Sequence, residues 1–199
     1  MKLVLASDNK GKLREFGALF ADHGIEVVSQ GSLGVTPCEE PYGTFLENAL
    51  AKARNAAKAA GLAAMADDSG ITAHALVTEP GVHSARYSGE KSNDAANNAK
   101  LVERLSAFED KSAHYTCVLV AVRSHDDPDP IVCEGCWYGE IVATPKGDGG
   151  FGYDPHFYLP EKSCTAAELS AEEKNQLSHR GKAMRLLLTE MQERWGVGR

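Results

Sequence analysis

The stretch KLVLASDNKGKLREFGALFADHGIEVVS, residues 2–29, decides the fold class. Residues 2–6 are apolar and β-compatible, Ser7 to Gly11 are polar and turn-forming, and Leu13, Phe16, Leu19 and Phe20 then recur at helical spacing. Gly24 follows as a C′ glycine, able to take the left-handed backbone that closes a helix, and Ile25 to Ser29 form a second short strand. Strand, helix and strand in so short a span open an α/β protein with a parallel pair.

Working outward, residues 31–43 are rich in Gly, Pro and acids and read as a loop. Thr44 and Glu47 match a capping box, and an Ala-rich helix runs from there to about Ala60, stopped by Gly61. Ala63 to Ala66 is a short buried strand expected to end at Asp67-Asp68-Ser69-Gly70, with a further strand from Ile71 and a helix over Ser92 to Phe108. Tyr115 to Arg123 and Ile131 to Val142 are two long β segments joined through Ser124 to Pro130, which makes a hairpin. Residues 143–155 are a Gly- and Pro-rich loop. Ser170 and Glu173 form a second capping box, and Leu186, Leu187, Met191 and Trp195 give a last helix its apolar face. Parallel βα units first and an antiparallel hairpin later predict an α/β sandwich on a mixed sheet. No internal repeat, linker or low-complexity segment divides the chain, so residues 1–199 are expected to be a single domain.

Composition narrows the function classes. The 43% hydrophobic and 25% charged residues are ordinary globular usage. Lys and Arg number 21 against 28 Asp and Glu, a net charge of −7, which argues against a broad nucleic-acid-binding face. The apolar run at Leu3 to Ala6 is too short for a signal-peptide core, and no stretch approaches a membrane span. Five irregularly spaced cysteines without an export signal read as reduced thiols, so a cytoplasmic protein is expected. Cys133 and Cys136 would face opposite sides of a strand and hold no metal. His23, His74, His114 and His125 are scattered without clear partners, and Trp137 and Trp195 are expected to pack.

Five groups of residues could carry chemistry. Ser7, Asp8, Asn9, Lys10, Gly11 and Lys12 lie where backbone N–H groups at a helix start, with a lysine, suit phosphate; a plain βα turn reads equally from the same residues. Glu39 and Glu40 are adjacent loop acids, solvated or metal-directed. Asp67 and Asp68 after an apolar strand can hold Mg²⁺ with phosphate oxygens or can form a simple turn. Gly149 to Pro155 combines backbone access at its glycines with flat faces at Phe151 and Tyr153 for stacking on a base. Lys174, Ser178, His179 and Arg180 can hold phosphate or base oxygens at a helix boundary, or simply be solvated.

Taken in order, SDNKGK, the EE loop, TFLENALAKA, ADDSG, PGVHSARYSG, GGFGYDP and EEKNQLSHRGKA resemble the inosine/xanthosine triphosphate pyrophosphatase family from Leu3 to about Leu188. The resemblance implies an elongated α/β/α architecture with a central mixed sheet and a cleft between two lobes, usually as a homodimer. It implies Mg²⁺-dependent cleavage of ITP, dITP and XTP between the α- and β-phosphates. On matching positions, Ser7 to Lys12 and Lys52 would bind phosphate, Asp68 would be the general base or a metal-linked carboxylate, and Ser69 would contact substrate. Phe151, Gly152, Tyr153, Asp154, Lys174, His179 and Arg180 would hold the base and its neighbours, and Glu39 would be the second metal contact. The first motif departs from the family's usual Thr-Gly-Asn: Asp8 is tolerable near phosphate only if its side chain turns outward. Competing classes are a pyrophosphatase for modified pyrimidine or ordinary triphosphates, and a nucleotide- or RNA-binding module without catalysis. The paired acids count against the second, because binding alone gains nothing from carboxylates beside phosphate.

Overall fold

A computed structural model describes residues 1–89 and 93–198. One seven-stranded sheet carries the strands in the order β2-β1-β3-β4-β5-β6-β7. These are β1 (Lys2–Leu5), β2 (Glu26–Ser29), β3 (Ala64–Ala73), β4 (Ser112–Val122), β5 (Ile131–Ile141), β6 (Phe157–Leu159) and β7 (Cys164–Thr165). β1 runs parallel to both β2 and β3, whereas β5, β6 and β7 are antiparallel, so the sheet is mixed as expected. The helices are α1 (Lys10–Ala21), α2 (Phe45–Ala60), α3 (Asp94–Leu105), α4 (Ala171–Leu177) and α5 (His179–Trp195). Ser92, the expected start of α3, lies outside the described residues; Asn93 caps that helix by accepting the Ala96 N–H.

The chain divides into two compact units, with boundaries inside β3, β4, β5 and α5. The first comprises Met1–Asp68, Val118–Glu134 and the segment from Ala183 onward. On one face of its strands, Val4, Ala64, Ala66, Val118 and Val120 meet the small side chains Ala49, Ala53, Ala56 and Ala57 of α2. Alanines let the helix lie close to the sheet, which is why so Ala-rich a helix forms there. Leu3 and Leu5 alternate to the opposite face and are fully buried, as are Phe16 and Phe20 of α1, stacked 6.3 Å apart. α1 ends as its sequence predicts: Gly24 has φ +68°, its N–H donates to Ala21, and Ile25 donates to Phe20, a Schellman closure.

The second unit, Ser69–Cys117 and Gly135–Lys182, has an aromatic core. Tyr115 meets Phe157 edge-on at 4.7 Å, Trp137 lies 5.3 Å from Phe157, and Ile71, Leu101, Leu105 and Ile141 fill around them. Both capping regions form: Thr44 accepts the Glu47 N–H, and Ser170 and Glu173 cap each other's backbones reciprocally.

Several expectations are corrected. Asp67-Asp68-Ser69-Gly70 is no turn at a strand end but the middle of the ten-residue β3; lysines from elsewhere neutralise its acids, so the strand continues through them. The short strands β6 and β7 were not expected, being too brief to show a period. In α5 Leu187 and Met191 are buried as expected, but Leu186 is exposed, Met184 is buried in addition, and Trp195 is half-buried. His74 and His114 do have partners: their rings share a 2.8 Å hydrogen bond, and His74 bonds Ser112 at 2.8 Å. No helix among the described residues is long and apolar enough to cross a membrane.

Candidate active site

In the first unit, β1 stops at Leu5 opposite Met65, while β3 runs on. Asp67 and Asp68 therefore extend past the carboxyl end of β1, the place where open α/β sheets bind ligands. Asp67 is 3% exposed and takes Lys12 Nζ at 2.8 and 2.9 Å. Asp68 accepts Lys52 Nζ and Asn48 Nδ2, each at 3.2 Å, and Lys52 also reaches Glu40 at 2.5 Å. Asn48 and Lys52 stand one turn apart on α2, so a single helix face presents both donors to Asp68. Asn48 is itself fixed, accepting the Tyr42 N–H at 3.1 Å and donating to the Tyr42 carbonyl at 3.2 Å. Ser7, Asp8, Lys12, Gln30, Glu40, Lys52 and Asp67 line a polar cavity of about 240 Å³.

Three carboxylates thus face two ammonium groups. Burial pushes the Asp68 carboxyl above the ordinary carboxylate range; Lys52 opposes that shift and the charge of Glu40 reinforces it. Burial pulls Lys52 down, but Asp68, Glu40 and Asp67 together hold its ammonium above the usual value. An acid-rich cluster of oxygen donors suits a hard divalent cation. Among the described residues no group of three His, Cys, Asp or Glu side chains is arranged to hold a metal ion by itself.

The loop before α1 is more committed than its sequence implied. Asn9 Oδ1 accepts the Gly11 and Lys12 N–H groups, and Ser7 Oγ accepts the Asn9 N–H at 3.2 Å, so two first-turn donors are already capped. Lys10 is exposed. Asp8 accepts the Gly31 N–H at 2.7 Å, which ties up its carboxylate, but the residue still borders the polar cavity. Both loop acids are exposed, and of the two it is Glu40 that joins Lys52, while Glu39 lies outside this cluster.

In the second unit, Phe151 is 60% exposed, with Lys174 Nζ 4.5 Å and the Arg180 guanidinium 5.5 Å from its ring centre. Arg180 is only 8% exposed, a buried cation whose neighbour is an aromatic face. Asp154, buried, accepts the Phe151 N–H at 2.8 Å, pairs with Lys174 and receives the Tyr115 hydroxyl at 3.3 Å. A side chain at Gly150, where φ is +73°, would strike that carboxylate at 2.1 Å. Tyr153 is a correction: at 4% exposure, with its hydroxyl donated to the Ser84 carbonyl at 2.7 Å, it is a core residue and offers no stacking face. His179 is likewise buried, stacked on Tyr115 at 4.6 Å and 7°. Ser69 is half-buried in β3.

Sequence reasoning missed Asn48 and the pair Asp94 and Asn98, which hold Gly152 from α3. The four-residue spacing of Asn48 to Lys52 and of Asp94 to Asn98 puts each pair on one helix face, but no local signal shows that the second pair meets Gly152.

Residues 3–190 match the Ham1 family. The chain is 59% identical over 94% of each chain to a dITP/XTP pyrophosphatase of Ralstonia nicotianae. It is 58% identical to one of Nitrosomonas europaea, over 96% of this chain and 95% of that one. A solved HAM1 protein from Coxiella burnetii superimposes with a TM-score of 0.94 at 46% identity, covering 97% of this chain and 99% of that one.

Proposed function

The chain belongs to the Ham1 family, and from that premise we propose that it is a magnesium-dependent pyrophosphatase acting on deaminated purine nucleoside triphosphates. It converts ITP, dITP and XTP to the monophosphate and pyrophosphate. The observation that carries the reading is Asp68, an acid held by Asn48 and Lys52 beside Asp67, Glu40 and Lys12.

Cleavage of a phosphoanhydride chiefly needs neutralised charge and an oriented water. A carboxylate has about four acceptor sites, and Asn48 and Lys52 occupy two of those on Asp68. The remainder can accept a proton from the attacking water, so Asp68 serves as general base. Lys12 and Lys52 turn from their carboxylates to the incoming phosphates. Asp68 would hold the Mg²⁺ with one loop acid, Glu40 being favoured over Glu39 by its contact with Lys52. When bound, Mg²⁺ neutralises charge on the phosphate oxygens.

In the second unit, Phe151 supplies a stacking face for the base, and Lys174 and Arg180 supply donors to the purine oxygens. Adenine presents an amino group at C6 where these donors require an acceptor, which disfavours it. His179 supports the arrangement through its stack on Tyr115. A panel of ITP, dITP, XTP, GTP, ATP and a pyrimidine triphosphate, assayed for pyrophosphate with and without Mg²⁺, tests this reading. Release must be fastest for the deaminated purines and must vanish on chelation; equal rates across the panel would overturn it. On the family resemblance we also take the working form to be a homodimer in the cytoplasm, which light scattering at micromolar concentration tests by returning twice the chain mass.

A further inference from the structure

Gly152 follows Phe151 in a loop containing Gly147, Gly149 and Gly150, and such a run loses more conformational entropy on ordering than any other. Packing does not hold it on the α3 side, because a cavity of about 560 Å³ lies there, bordered by Gly147 to Gly152 and the first turns of α3. Hydrogen bonds must do so instead. Gly152 donates its N–H to Asp94 Oδ2 at 2.9 Å and accepts from Asn98 Nδ2 at 2.8 Å. Asn98 gives its second proton to the Asp94 carbonyl at 2.8 Å, which fixes the direction of its amide, since the reverse orientation would set its oxygen against two carbonyls. Asn98 is 7% exposed while Asp94 is exposed, so the grip is buried on its Asn98 side, and it acts on a glycine at φ +63° whose backbone is otherwise free.

We propose that Asp94 and Asn98 are positioning residues that set the Phe151 ring by clamping both polar groups of the Gly152 peptide from one turn of α3. The proposal rests on the base-holding role given to Phe151 above. Asp154 anchors the loop from the Phe151 N–H, and the α3 pair anchors it one residue later; together they leave the ring between them little freedom to swing.

Two measurements test the clamp. The first needs no substrate: amide exchange at Gly152 should quicken about tenfold or more in Asp94→Ala and Asn98→Ala, and stay near the wild-type rate in Asp94→Asn, whose amide oxygen still accepts. Unaltered exchange in both alanine variants overturns the clamp. The second is a double-mutant cycle with ITP. Asp94→Ala should raise KM about tenfold while kcat falls by a smaller factor, and the KM effect should shrink to under about twofold in a Phe151→Ala background. A loss that persists undiminished there shows that α3 does not act through Phe151 and refutes the proposal. Wild-type protein that releases no pyrophosphate from ITP counts against the functional reading alone, because amide exchange decides the clamp independently.

Discussion

Replacing Asp68 with Asn removes the proposed base while keeping its shape, and the surroundings set both expected effects. The carboxylate is 14% exposed, and burial with the nearby Glu40 charge already disfavours its ionised form. A carboxyl raised in this way costs the fold nothing below its ordinary pKa, increasingly more as pH rises through the folded pKa, and the full amount above it, so a neutral amide relieves that cost at pH 7. Against this, the new amide must set its NH₂ against Asn48 Nδ2 or against Lys52 Nζ, and Asn48 cannot flip without losing Tyr42. One mismatched donor pair costs about 1–3 kcal/mol. The two effects oppose each other, so Tm should move by no more than a few degrees. Turnover should fall by about 10²-fold or more, the usual loss for a general base, equivalent to about 2.7 kcal/mol of barrier. Steady-state pyrophosphate release on ITP, paired with a thermal melt of the same sample, measures both. Near-normal kcat in a folded Asp68→Asn protein would refute the assignment and move the role to Asp67 or Glu40.

Arg180→Ala should lower kcat/KM for ITP by about 1–3 kcal/mol, the cost of an unmatched polar partner, and narrow the gap to ATP; an equal loss on both assigns Arg180 to phosphate. Tyr153→Phe should cost about 1 kcal/mol of stability, one buried hydrogen bond, and leave kcat for ITP close to wild type. A large fall in kcat for a well-folded protein would return Tyr153 to the substrate. Burial raises Asp127, but hydrogen bonds from Arg123 and Asp129 overcome it and bring the carboxyl down to about 2. Its contribution is therefore full above the ordinary value near 4 and lost as pH falls through about 2. Asp127→Ala should be destabilised by about 1–3 kcal/mol at pH 7, and by less at pH 2, in urea unfolding; a deficit that grows toward pH 2 contradicts this.

What the sequence revealed is what depends on near neighbours. The Gly24 closure of α1, the Thr44 cap and the Ser170–Glu173 box all formed where short-range chemistry places them. The acids of β3 resembled a turn because Asp, Ser and Gly favour turns locally. The strand persists because Lys12, Asn48 and Lys52, distant in sequence, take up the charge of its acids. Phe151 and Tyr153 look equivalent as aromatic residues flanking a glycine. Only the tertiary fold buries one under Ser84 and leaves the other beneath two cations. His74 and His114 are separated by a whole helix, so no local pattern could pair them.

The central claim is hydrolysis between the α- and β-phosphates, and the products made from ITP test it most directly. With Mg²⁺ present, chromatography of the nucleotide together with a pyrophosphate assay should find IMP and pyrophosphate in a 1:1 ratio from the earliest time points. IDP and inorganic phosphate accumulating before IMP would contradict the account.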